Sequence, residues 1–225
     1  MSTVVLKGTG TTVADVYEIA RKDAPVEVEP EVYDRLEKAR AILDQTAASG
    51  QQIYGLNTGL GANLKTSVTE DISVFQQQLV RGRGMGIGSS LPRDVTRAVM
   101  AARLSMLAVG GSGISPSVFN DLLALLNKQI HPVVPSIGSI GAGDLVLLSA
   151  MAQTLIGEGA AEYQGKVYPS AQALKKADLA PSKLGPKDGL SLLNASAVSV
   201  GQGALVAVDA IALLDFQRQA AALSF

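Results

Sequence analysis

Three glycine-rich loops carry the side chains of this chain best suited to chemistry. They are Tyr54-Gly55-Leu56-Asn57-Thr58-Gly59-Leu60-Gly61, Arg81-Gly82-Arg83-Gly84-Met85-Gly86-Ile87-Gly88 and Gly138-Ser139-Ile140-Gly141-Ala142-Gly143. The first offers a phenol, the second two guanidinium groups, and the third leads through Asp144 into an apolar run. None has the spacing of a dinucleotide fingerprint after a strand, and none ends in the Gly-Lys-Ser/Thr of a phosphate loop. Their glycines therefore serve turns with positive φ or close backbone approach. Small residues at 141–143 let the backbone fold tightly on itself. A helix starting near Asp144 would place the positive end of its dipole beside developing negative charge. A fourth candidate is Asn194, an amide in an otherwise apolar segment, where a polar group needs a partner. Alone, each loop reads as a connector before it reads as a site.

The elements that must position these loops are helical. Val32, Leu36, Ala39, Ile42 and Leu43 fall on one face of a helix that stops at Gly50. "SVTEDISVFQQQLV" predicts a second helix with Ser67 or Thr69 as N-cap. "LPRDVTRAVMAARLSMLAVGG" has Pro92 in a first turn and ends at Gly110-Gly111, and "SPSVFNDLLALLNKQI" repeats the pattern from Ser115-Pro116. The helix opening near Asp144 runs to Gly157, with Asp144 expected to cap it, and "AAEYQGKVYPS" reads as a hairpin about Gln164-Gly165. From Asp188 to Phe225 the chain is almost continuously apolar or small and has no stop signal, so a longer protein is expected. The fold class is all-α, as one unit over residues 1–225, with glycine-rich loops and small hairpins. Strands do not alternate with helices as a doubly wound sheet requires.

Composition narrows the function. The 225 residues are 47% hydrophobic, which suits a folded core. Lys+Arg number 19 against 20 Asp+Glu, leaving no field to attract nucleic acid or an anionic membrane. There is no cysteine and a single histidine, so thiolate and common zinc sites cannot be built, and no metal is expected. The start MSTVVLKGTG lacks a signal-peptide pattern, so a cytoplasmic location is expected. "GALVAVDAIALL" is short for a membrane span and carries Asp209 near its centre, so it reads as a buried helix.

Three motifs in this order resemble the histidine and phenylalanine ammonia-lyases. "YGLNTGLG" is similar to that family's Tyr-Gly-Val/Ile-Asn-Thr-Gly-Phe-Gly loop, "HPVVPSIGSIGAGDLVLLSAMAQTLIGEG" to its electrophile segment, and "DGLSLLNASA" to its Glu-Gly-Leu-Ala-Leu-Ile-Asn-Gly-Thr segment. The resemblance implies a helical active-site domain leading into a long central helix bundle, and a homotetramer with shared active sites. It implies a carbon–nitrogen lyase of amino acid catabolism that expels ammonia or an amine from an amino acid, leaving an α,β-unsaturated acid. Tyr54 would be the general base. A phenol ionises only near pH ~10 in water, so such a base needs positive charge or hydrogen bonds around it. Asn194 and Gly61 would contact the substrate. His131 would be structural.

The family electrophile is a methylidene-imidazolone made from Ala-Ser-Gly, and here Ala142 is followed directly by Gly143. Without a β-hydroxyl nothing can be eliminated to form the methylidene carbon. Ser139 would need cyclisation of Gly138 with the β-branched Ile140. The resemblance also covers ergothionase-type lyases, which expel trimethylamine from a histidine betaine without that group, and aminomutases are near relatives. An inactive structural or regulatory subunit and a small-molecule binding module stay open. The second departure is Arg83, standing where histidine lyases have the histidine of a Ser-His-Ala motif. A fixed cation there would favour an anionic or strongly polar substrate group, or else be a solvated loop charge beside Arg81.

Overall fold

The computed structural model describes residues 3–60 and 71–225. The chain opens with β1 (Val4–Leu6), crosses α1 (Val13–Arg21) and returns as β2 (Val26–Val28), parallel to β1 with Val4 opposite Val26. Strands of three residues are too short for an alternating pattern to register in the sequence. Thr12 starts α1 through a capping box with Asp15, the two exchanging bonds at 3.2 and 2.8 Å.

Next come α2 (Pro30–Ala48), α3 (Ile72–Arg81), β3 (Ile87–Ser90), α4 (Arg93–Leu107) and α5 (Pro116–Asn127). In α2 the predicted face is buried at Val32, Leu36 and Leu43, but Ile42 is exposed and lines a surface cleft with Ile53. Gly50 follows the helix at φ +77°, where a side chain would be strained. The N-cap of α3 is Asp71, which accepts from the Ser73 N–H at 2.8 Å; Ser67 and Thr69 lie outside the described residues. Pro92 is the N-cap of α4 and lies just outside its first turn.

The remaining elements are β4 (Ile130–Pro132), β5 (Pro135–Ile137), α6 (Leu145–Leu155), β6 (Ala160–Tyr163), β7 (Lys166–Pro169), α7 (Ser170–Lys176), α8 (Asp188–Leu193) and α9 (Ala197–Ser224). β3 pairs antiparallel with β5, and β4, β6 and β7 form a second antiparallel sheet. The β6–β7 hairpin turns at Gln164 and Gly165, both at positive φ, as a two-residue turn demands. The architecture is mainly helical, with these small sheets at its margins.

Alanine and glycine make the central crossing. α4 lies against α1 and α9, and a Cβ on Gly201 would come within 2.7 Å of the Ala98 backbone, so only glycine allows that approach. The second half of α9 is exposed, including Ile211, Leu213, Leu214 and Phe216. The 188–224 stretch, which contains an 18-residue window of mean hydropathy 1.8, is long and apolar enough to cross a membrane by length and composition. It is interrupted between α8 and α9, and Asp209 pairs with Arg21 of α1.

Candidate functional site

The third glycine-rich loop ends at the N-terminus of α6. Gly141 and Gly143 both have positive φ, +78° and +120°, and a Cβ on Gly143 would meet Leu145 Cδ1 at 3.0 Å. Ala142 is exposed, whereas Gly143 and Asp144 are buried. Asp144 stands at the N-cap position of α6, but its carboxylate makes no bond to that helix. It accepts instead from Ser199, the N–H at 2.9 Å and the hydroxyl at 3.1 Å. Ser199 is in the first turn of α9, so Asp144 caps α9 across space, and the expectation that it caps its own helix is corrected. Its own N–H donates to the Ala195 carbonyl at 2.8 Å. The electrophile-like loop is thereby tied on both sides to the α8–α9 junction.

That junction carries Asn194, the exposed C-cap of α8, whose N–H donates to the Leu190 carbonyl at 2.9 Å. α8 is held along its length. Asp188, fully buried, accepts from the Ser115 N–H (2.8 Å), the Ser115 hydroxyl (2.9 Å) and the Gly185 N–H (2.8 Å), with Arg40 at 3.5 Å. Burial pushes its carboxyl pKa up, and these donors oppose the shift. Arg103 reaches from α4 to the Ser191 carbonyl, and burial lowers its guanidinium to about 10. The Ser191 hydroxyl donates to the Ser112 carbonyl at 2.8 Å.

The Tyr54 loop packs on the same helix. Gly55, at φ +71°, faces Leu190 so closely that a Cβ would collide with its side chain. Gln76 of α3, fully buried, donates to the Gly55 carbonyl at 2.9 Å and accepts from the Leu190 N–H at 3.3 Å. Tyr54 is 45% exposed. Asn57 closes the loop by accepting from the Ile53 N–H at 2.7 Å and donating to the Gln51 carbonyl at 2.8 Å.

Residues 11–225 match the aromatic amino acid lyase family. The chain belongs to that family. It is 40% identical to a histidine ammonia-lyase of Sorangium cellulosum (strain So ce56) over 98% of this chain and 44% of that protein. A phenylalanine aminomutase of Pantoea agglomerans superposes with TM-score 0.91 at 32% identity, covering 96% of this chain and 42% of the other. The ergothioneine-degrading ergothionase of Treponema denticola, in complex with desmethyl-ergothioneine sulfonic acid, superposes with TM-score 0.88 at 35% identity over 91% of this chain and 41% of that one. The chain therefore spans less than half the length of these relatives.

Within this aromatic amino acid lyase fold, contacts link the segments of Tyr54, Asp144 and Asn194 through α8. Gly61 lies outside the described residues. Arg83 is set apart: its guanidinium donates to the Leu79 carbonyl at 3.2 Å, closing the end of α3. Arg81 forms a bidentate pair with Glu158 at 2.6 Å. His131 is buried in β4, with Nδ1 2.5 Å from Glu162 Oε2 and Nε2 3.3 Å from the Arg97 guanidinium.

Sequence reasoning missed Gln76, Arg103 and Ser199, and did not single out Asp188. Gln76 had a signal, since it shares the apolar i, i+3, i+4 face of α3 with Leu79 and Val80, where an amide must find partners.

The family's protein-derived electrophile does not fit the residues present. The ring requires a backbone nitrogen two residues beyond the attacked carbonyl and a serine between them, and Ala142 is joined directly to Gly143. No reaction step is routed through it.

Proposed function

We propose that this chain carries the active-site half of a carbon–nitrogen lyase acting on an amino acid or its betaine. The observation that supports this reading is the single helix, α8, where two loops meet its own C-cap: the Tyr54 loop through Gly55 against Leu190, the Asp144 loop through Ala195 just beyond the helix, and Asn194 at its end. In the proposed reaction Tyr54 takes the β-proton, that electron pair becomes the Cα–Cβ double bond, and the Cα–N bond breaks with its electrons leaving on the amine. Asn194 and Gly61 hold the substrate. The N-terminus of α6, following Ala142, Gly143 and Asp144, faces negative charge on the substrate carboxylate. Arg83 takes part only by leaving the Leu79 carbonyl.

The direct Ala142–Gly143 bond favours one form of this chemistry. Ammonia leaves poorly without covalent activation, whereas a quaternary ammonium departs as a neutral tertiary amine. The proposal therefore commits to a betaine-type substrate, as in the electrophile-free members, over an ordinary amino acid. The exposed apolar half of α9 suits assembly of the helix bundle, here proposed as a homotetramer working in the cytoplasm. The test is turnover of the intact protein with aromatic amino acids and with their trimethylammonium betaines, read as the ultraviolet absorbance of the unsaturated acid. Product from the betaines supports the reading. Absence of product from every substrate would favour a structural or regulatory subunit.

A further inference from the structure

We infer that Gln76 is a positioning residue that fixes the Tyr54 loop against α8, an inference that rests on the carbon–nitrogen lyase reading for its effect on turnover. Gln76 is fully buried, and both ends of its side-chain amide are used on different segments. Nε2 donates to the Gly55 carbonyl at 2.9 Å, one residue from the phenol, and Oε1 accepts from the Leu190 N–H at 3.3 Å, four residues before Asn194. Two glycines make room for the bridge. A Cβ on Gly189 would come within 2.6 Å of the Gln76 carbonyl and 3.0 Å of Oε1, and a Cβ on Gly55 would collide with Leu190. α3, the Tyr54 loop and α8 are thus in close backbone contact at one point, with a single side chain joining them.

An apolar residue of the same length leaves the Gly55 carbonyl and the Leu190 N–H buried without a partner, and the loop shifts to satisfy them. A displacement of the base by about 1 Å is enough to cost about a hundredfold in rate. A carboxyl at this position behaves differently. Ionised, it presents only acceptors, so it repels the Gly55 carbonyl; protonated, it donates to that carbonyl as the amide does.

The experiment uses the intact protein with Gln76→Met and Gln76→Glu. The first measurement is backbone hydrogen exchange, which needs no substrate. Gln76→Met is expected to speed exchange at least tenfold in 53–58 and at Leu190, while the α4–α9 crossing keeps its native protection. The second is steady-state turnover, in which Gln76→Met lowers kcat about a hundredfold with KM within threefold, and Gln76→Glu recovers activity as pH falls. Unchanged exchange at 53–58, or acceleration spread evenly over all helices, would overturn the positioning role. A wild-type protein that turns over none of the substrates sinks the lyase reading, while the exchange result still decides whether Gln76 fixes the loop.

Discussion

Asp144 and Ser199 are 55 residues apart, and the carboxylate of the first caps the helix that begins just before the second, at 2.9 Å to its N–H and 3.1 Å to its hydroxyl. The residue that opens α6 is thereby spent on α9. With the Asp144 N–H on Ala195, this pair fixes the candidate electrophile loop to the end of α8 that carries Asn194.

Removing that carboxylate takes the acceptor from the Ser199 N–H and hydroxyl in the first turn of α9. Asp144→Ala is expected to destabilise the protein by about 2 kcal/mol, from loss of a cap and a charge-assisted hydrogen bond. That lowers Tm by roughly 4–8 °C for a chain of this size. Ser199→Ala keeps the N–H bond and loses only the hydroxyl, so its expected cost is below about 1 kcal/mol. Thermal unfolding followed by circular dichroism checks both, and equal shifts for the two variants would contradict the cap.

Tyr54→Phe separates chemistry from folding. The substitution keeps the ring and removes one hydroxyl, so the expected cost to folding is at most that of a single hydrogen bond, about 1 kcal/mol or roughly 2–4 °C in Tm. Turnover is expected to fall by about 10²–10⁴-fold, the range of a general base. Steady-state kinetics and thermal unfolding of the same preparation make the comparison.

His131 sets a pH dependence of stability. Arg97 can only donate, so Nε2 of His131 accepts from it, and Nδ1–H donates to Glu162. Burial lowers the imidazole pKa below its ordinary value, the neighbouring charges of Arg93 and Arg97 act in the same direction, and Glu162 opposes them. The folded protein therefore binds this proton less readily than the unfolded chain. Stability is full above the unfolded pKa near 6.5 and is lost as pH falls from there toward the lower folded value. Denaturant midpoints measured from pH ~7.5 to ~5 are expected to fall, with His131→Gln flattening that part of the curve. A wild-type midpoint that rises toward pH ~5 would overturn the assignment.

Inserting a serine between Ala142 and Gly143 recreates the Ala-Ser-Gly triplet. If small flanking residues and loop geometry are all that cyclisation needs, the variant's intact mass is expected to exceed wild type by one serine residue less two waters. A gain of the whole serine residue would show that this loop is not shaped for ring closure.

Much of this fold is legible in the sequence because its signals are local. The apolar face of α2, the Ser115-Pro116 start of α5, the Gln164-Gly165 turn and the three motif loops each depend on residues within a few positions of one another. What the sequence hides depends on distant partners. Ser115-Pro116 reads as a helix start, but nothing near it tells that the Ser115 hydroxyl goes to Asp188. Asp144 reads as the cap of α6 and serves α9, because the junction after Asn194 folds back onto it. Ile42 fits the helical stripe of α2 and still faces a cleft, since nothing in a periodic pattern tells where the opposing surface ends.

The most direct test of the account is to give the intact wild-type protein matched substrates, histidine and its trimethylammonium betaine, and quantify ammonia and trimethylamine in the same reaction. The account predicts trimethylamine with the unsaturated acid in equal amounts, no ammonia from histidine, and loss of both products in Tyr54→Phe. Ammonia released from histidine, with the betaine untouched, would contradict it.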